Sequence, residues 1–214
     1  MIELSDKTTF APFYKCYSEI FIPAYSDLTG YLLYKPVPVL HSIENAFSHV
    51  MQCCNPSLDD IVRQENIKKA YHHLERATLD CYKILFVEID KKISPIADDS
   101  ELRKFAVNAP EREFLTQYVG FKKQLREIRL KEIENTGVNI GETIELYRDA
   151  VKIGFQLIAS IDEQKITDYN SLKRKKAWIL TFRDFILGVL AGVIASAIYG
   201  NWNTIVGFFQ TLIK

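Results

Sequence analysis

Residues 61–93 read IVRQENIKKAYHHLERATLDCYKILFVEIDKKI, and the pattern in this stretch decides the fold class. Ile61, Ile67, Ala70, Leu74, Ala77, Cys81, Ile84 and Leu85 hold one face of a helical period, with charge on the other. A strand would alternate every second residue and stop early; this run persists for about nine helical turns. Just upstream, Asn55 is a fitting cap and Pro56 fits a first helical position, with Asp59 and Asp60 in the first turn. A long helix is therefore expected from Pro56 to about Ile93, stopped by Ser94-Pro95.

Working outward, Leu40, Ile43, Phe47 and Val50 recur at helical spacing across Val39–Cys53. Before them, Phe10–Pro38 is aromatic-rich and broken by Pro12, Pro23, Gly30, Pro36 and Pro38. A short helix near Phe13–Phe21 and then an irregular arm are expected there. Downstream, Asp98–Asn108 reads as a short helix ahead of Ala109-Pro110. Glu111–Asn135 carries Phe114, Leu115, Tyr118, Phe121, Leu125, Ile128 and Ile133 at helical spacing, and Glu142–Glu163 repeats the pattern. Period-two runs and hairpin turns are missing. The expectation is an all-α protein, a bundle of long antiparallel helices.

Composition bounds the function classes. The 214 residues carry 27 basic and 27 acidic side chains, so no net field holds a polyanion in bulk. With 48% hydrophobic residues and only 9 Gly and 7 Pro, the chain is neither disordered nor collagen-like. Cys16, Cys53, Cys54 and Cys81 contain no C-x-x-C pair, so reduced, mostly buried thiols are expected and no metal site. Met1–Thr9 carries Glu3 and Asp6 without an apolar run, so no cleavable signal peptide is expected.

The end of the chain is different material. FILGVLAGVIASAIYGNWNTIVGFFQTLI (185–213) holds no charge. To Gly200 it makes about 24 Å of helix, and through Phe209 about 37 Å, enough to span a bilayer with tilt. Trp178 and Trp202 stand about 36 Å apart on such a helix, close to the separation of the two aromatic belts. Lys173, Arg174, Lys175 and Lys176 precede the run, which by the positive-inside rule places the N-terminal bundle in the cytoplasm and the tail in the cell's inner membrane. At Asn201 and Asn203 the chain either continues the span or turns to lie along the far interface. The expected organisation is an N-terminal arm (1–38), a cytosolic bundle (39–170), a basic hinge (171–176) and a membrane segment (177–214).

Gly188, Gly192, Ser196 and Gly200 recur every fourth residue, a small-residue stripe that lets helices approach closely. Self-association into a homo-oligomer, such as a tetramer, would turn Arg183 and Asp184 into a charged ring at one mouth of a pore. Asn201 and Asn203 would form a polar ring at the other. The plainer alternative has Arg183 reaching to headgroups and Asp184 solvated beside it.

No P-loop, G-x-S-x-G or H-E-x-x-H is present, so catalysis and a cofactor are not expected. On the long helix Lys68, His72 and Arg76 stack at i+4 steps, with Lys69 and His73 on the adjoining stripe. Donors stacked this way suit the phosphates of a nucleotide or short nucleic acid, with Tyr71 as a stacking surface. Lys122, Lys123, Arg126 and Arg129 form a second basic stripe. The competing reading of both is a solvated face, the first paired with Glu65 and Glu75.

The stretch ENIKKAYHHLERATLDCYKIL (65–85) resembles a helix of HEPN-type domains, many of which are RNases or nucleotide-binding modules. Their nuclease motif sets a His a few residues after an Arg; here Arg63 lies too far ahead of His72, and no His follows Arg76. The resemblance thus implies a nucleic-acid-binding module without RNase activity. The overall plan, a helical domain joined by a basic hinge to a short membrane segment, resembles membrane effectors of bacterial anti-phage systems of the Hailong and CBASS kind. That resemblance implies a homo-oligomeric channel in the lipid bilayer, gated by a nucleotide or oligonucleotide on the cytosolic domain. The alternative is a tail-anchored scaffold or adaptor.

Overall fold

The computed structural model describes residues 7–134 and 140–200. Among them the protein is all-α; the one departure is an isolated antiparallel bridge between Val107 and Ile161. The helices are α1 (Lys7–Lys15), α2 (Ile22–Leu32), α3 (Val37–Cys53), α4 (Asp60–Asp98), α5 (Ser100–Ala106), α6 (Glu111–Glu134), α7 (Ile140–Ala159) and α8 (Glu163–Gly200). A π-helical turn, Cys16–Phe21, links α1 to α2.

The segment expected to be an irregular arm is therefore helical from Lys7 to Leu32. Pro23 explains the π turn. Proline has no N–H to give the carbonyl one turn back, and its ring crowds that carbonyl. The ladder slips by one residue just before it, with the Ile22 N–H donating to the Tyr17 carbonyl, and Pro23 then falls in the opening turn of α2. The long helix also begins later than Pro56. Asn55 spends its side chain locally, accepting from Ser57 N at 3.0 Å and Ser57 Oγ at 2.7 Å. Asp59 is the cap instead, its Oδ1 accepting from Val62 N at 2.8 Å. At the other end α4 runs past Ser94-Pro95 to Asp98.

At 39 residues, about 58 Å, α4 is the axle of the bundle. Helices α1, α2, α3 and α7 pack on it, and α6 packs on α7. The core gathers Leu85, Phe86, Ile89 and Ile93 of α4 with Phe114 and Phe121 of α6 and Tyr147 and Leu157 of α7, all nearly solvent-free. Phe86 and Phe121 stack at 4.0 Å with planes 7° apart. Gly154 lets α7 close on this pair: a Cβ there would lie 2.6 Å from Ile89 Cγ2 and 2.9 Å from Phe121 Cε2. Some expected core positions are outside it. Ile61, Phe47 and Ile133 are 72%, 62% and 73% exposed, and α3 buries Val39, Ser42, Ala46 and Cys53 in their place.

One buried cation ties the chain where α4, α5 and α6 meet. The Arg103 guanidinium donates to Glu111 Oε1 from Nε at 3.1 Å and from Nη2 at 2.7 Å, and Nη1 donates to the Ala97 carbonyl.

The chain divides into two compact units after Asp162 rather than near residue 170. The basic run expected as a hinge lies inside α8, which is unbroken from Glu163 to Gly200. Lys and Arg are good helix formers, so their charge does not interrupt the helix.

Candidate functional site

A pocket of about 370 Å³ opens between α1 and α4, lined by Pro12, Phe13, Gln64, Ile67, Lys68, Tyr71 and His72. The spacing of α4 builds its wall: Gln64, Lys68 and His72 follow at i+4 on one row, and Ile67 and Tyr71 on the next. Phe13 and Pro12 close it from α1. An apolar, partly aromatic lining with three nitrogen-bearing side chains, Gln64, Lys68 and His72, suits a ligand with a flat body and an anionic end.

Below the rim, Glu75 is an almost buried carboxyl, 8% exposed. Its Oε2 lies 3.1 Å from His72 Nδ1, and its charge acts on the neighbouring Tyr71 hydroxyl. Occupying Nδ1 leaves His72 Nε2 for another partner. Burial, then the charge of Glu75, pushes the Tyr71 hydroxyl up to about 12. The same two causes push the neighbouring Cys16 thiol up to about 11, so it stays protonated at neutral pH. Glu75 thus orients the His72 ring at the pocket.

The first basic stripe divides. Lys68 and His72 line the pocket; Lys69 and Arg76 are exposed and are not among its lining residues. His73 turns toward α3, where its ring stacks on His49 at 5.3 Å and 16°. Asn66 orders this seam: its Nδ2 donates to the Val62 carbonyl at 2.9 Å, which aims Oδ1 at His49 Nδ1, 2.7 Å away. His49 Nδ1 is therefore the donor of that bond. Burial, then His49, Arg76 and His72, hold His73 below the usual 6.5.

All four residues of the second stripe are exposed on α6. Lys122 pairs with Asp90 at 2.8 Å beside Tyr118, and Lys123 lies 3.6 Å from Glu127 on the same helix. Arg126 is exposed. A second groove, about 320 Å³, runs between α1 and α3 beside Phe47 and Val50. Among the described residues no group of three or more His, Cys, Asp or Glu gathers to hold a metal ion.

In α8, the helix Glu163–Ala197 contains an 18-residue window with a mean hydropathy of 1.8, long and apolar enough to cross a membrane and with none of that window buried among the described residues. Gly188, Gly192 and Gly200 have open space where a Cβ would stand, and Ser196 is exposed. Arg183 and Asp184 pair with each other at 2.8 Å. Asn201 and Asn203 lie outside the described residues.

Sequence reasoning reached Lys68, Tyr71 and His72 but missed Phe13, Gln64 and the buried Glu75. A Phe directly after Pro12 gives no sign of which helix it will meet, and Glu75 reads on the sequence as one more surface charge.

Fold and pocket together define a helical bundle carrying a long, exposed apolar helix. The chain matches no protein family, no curated protein and no solved structure.

Proposed function

We propose that the chain is a self-assembling membrane effector of anti-phage defence. In this reading α8 inserts in the inner membrane and packs against copies of itself, and the pocket between α1 and α4 takes a nucleotide or short oligonucleotide that controls ion passage. The role is one of binding and permeation, not catalysis. The observation that carries it is the apolar stretch of α8, none of it buried by the bundle. An apolar surface of that length does not stay in water; it is covered by lipid or by other copies. The small residues at 188, 192 and 196 favour close helix contact. The cations at 173–176 support a cytoplasmic bundle. Phe13 and Tyr71 offer ring faces, and Lys68 and His72 offer donors to phosphate.

Gly192→Leu tests it. Leucine adds bulk where backbones approach and makes the segment more hydrophobic, so insertion is not harmed. Wild type should depolarise cells on induced expression, read by a potential-sensitive dye. Gly192→Leu should lose depolarisation yet still fractionate with membranes. Equal depolarisation by both removes the stripe from the mechanism. The rival, a tail-anchored adaptor, is favoured by one observation: the groove between α1 and α3 leaves Phe47 exposed where a partner protein could seat. An adaptor predicts no depolarisation by either form.

A further inference from the structure

Charge on α8 is arranged in a way that the proposed span alone does not require. Lys173, Arg174, Lys175 and Lys176 are consecutive and all exposed. Consecutive helical residues step about 100° around the axis, so these four cations point to every side. A stripe serves a partner on one side, such as a duplex or a protein face. A belt serves a partner that surrounds the helix. From residue 169 to residue 200 the remaining charged pair, Arg183 and Asp184, neutralises itself at 2.8 Å, so the belt is the whole net charge of that stretch.

The next side chains continue the pattern. Trp178 and Phe182 are 68% and 51% exposed and stack on each other at 5.5 Å with planes 8° apart. Indole rings settle at headgroup depth, one edge polar and one apolar. The centre of the belt lies about 5 Å along the helix from Trp178. That matches a headgroup layer roughly 5–7 Å thick on each side of the hydrocarbon.

We propose that the Lys173–Lys176 belt binds anionic phospholipid headgroups, so that the protein gathers a ring of negatively charged lipid around α8 in one leaflet. Zwitterionic headgroups carry the same phosphate but cancel it with their own ammonium, so net charge supplies the discrimination. This rests on the reading that α8 enters the bilayer, and the experiment separates the two.

Full-length protein carrying Trp202→Phe, which leaves Trp178 as the lone tryptophan, is reconstituted in mixed phosphatidylcholine–phosphatidylglycerol vesicles. In parallel samples one lipid or the other carries acyl-chain bromines near the headgroup, which quench tryptophan on contact. At equal mole fraction, brominated phosphatidylglycerol should quench as though about threefold enriched. The ratio should fall to unity when all four cations become Gln and in about 1 M salt, where the screening length is near 3 Å. Replacing the three lysines by Arg should preserve it. A wild-type ratio of one, or a preference that survives the four Gln substitutions, overturns the lipid proposal and leaves the span standing. Quenching by neither lipid overturns both.

Discussion

Gly154 illustrates how one missing methyl group shapes the core. Ile89 and Phe121, which face it, are almost solvent-free and have nowhere to retreat. Gly154→Ala should therefore cost about 1–3 kcal/mol through overpacking, read as a lowered melting temperature of the full chain in detergent. An unchanged melting temperature would show that α7 can shift without loss. In the pocket, Lys68→Glu and His72→Glu should each cut nucleotide binding about tenfold or more, whereas Arg76→Glu, outside the lining, should change it less than threefold. Equilibrium binding with a fluorescent nucleotide checks this; equal losses at all three positions would return the site to a diffuse basic face. His73 makes stability depend on pH. Its native value lies below 6.5, so between the two values the unfolded chain holds a proton that the native chain does not. Stability should fall as pH drops through and below 6.5, and His73→Gln should flatten that part of the curve. Of these residues, Lys68 and His72 were legible from spacing alone. The diversion of His73 was not, because the period of one helix does not say which flank α3 will cover.

Among the helices, α4, α6 and α7 were legible because their apolar residues keep a helical period over many turns. The misreadings share a cause: a single residue type signals a break or a start where the hydrogen bonds and helix propensity of its near neighbours decide. Pro12 and Pro23 read as breaks, but the π turn reroutes the hydrogen-bond ladder and the helix goes on. Asn55-Pro56 reads as a helix start, but Asn55 is occupied with Ser57, and its carbonyl accepts from the buried Arg63 at 3.2 Å. Lys173–Lys176 reads as a hinge but continues α8. Arg103 shows what a period cannot convey, a buried cation that joins three helices. Arg103→Ala should destabilise the full chain by about 3 kcal/mol, since it strips Glu111 and the Ala97 carbonyl of their shared donor. Thermal unfolding with Glu111→Gln as the second arm of a double-mutant cycle would measure the coupling. A cost below about 0.5 kcal/mol would place Arg103 with ordinary surface charges.

Taken as a unit, the protein has a bundle built around one axle and a second unit containing a helix whose apolar window is unburied among the described residues. The bundle explains its own stability from Phe86, Phe121 and their neighbours; α8 does not, and in the proposed reading lipid and other copies cover its surface. In the proposed mechanism, assembled α8 helices conduct ions under control of the α1/α4 pocket. Planar-bilayer recording of purified full-length protein, with and without an added mixture of nucleotides and short oligonucleotides, tests this most directly. Wild type should give discrete conductance steps in one of the two conditions. Gly192→Leu should abolish them, and Lys68→Glu should remove the difference between conditions. Silence of the wild type in both conditions, or steps of equal size and frequency from Gly192→Leu, would contradict the account.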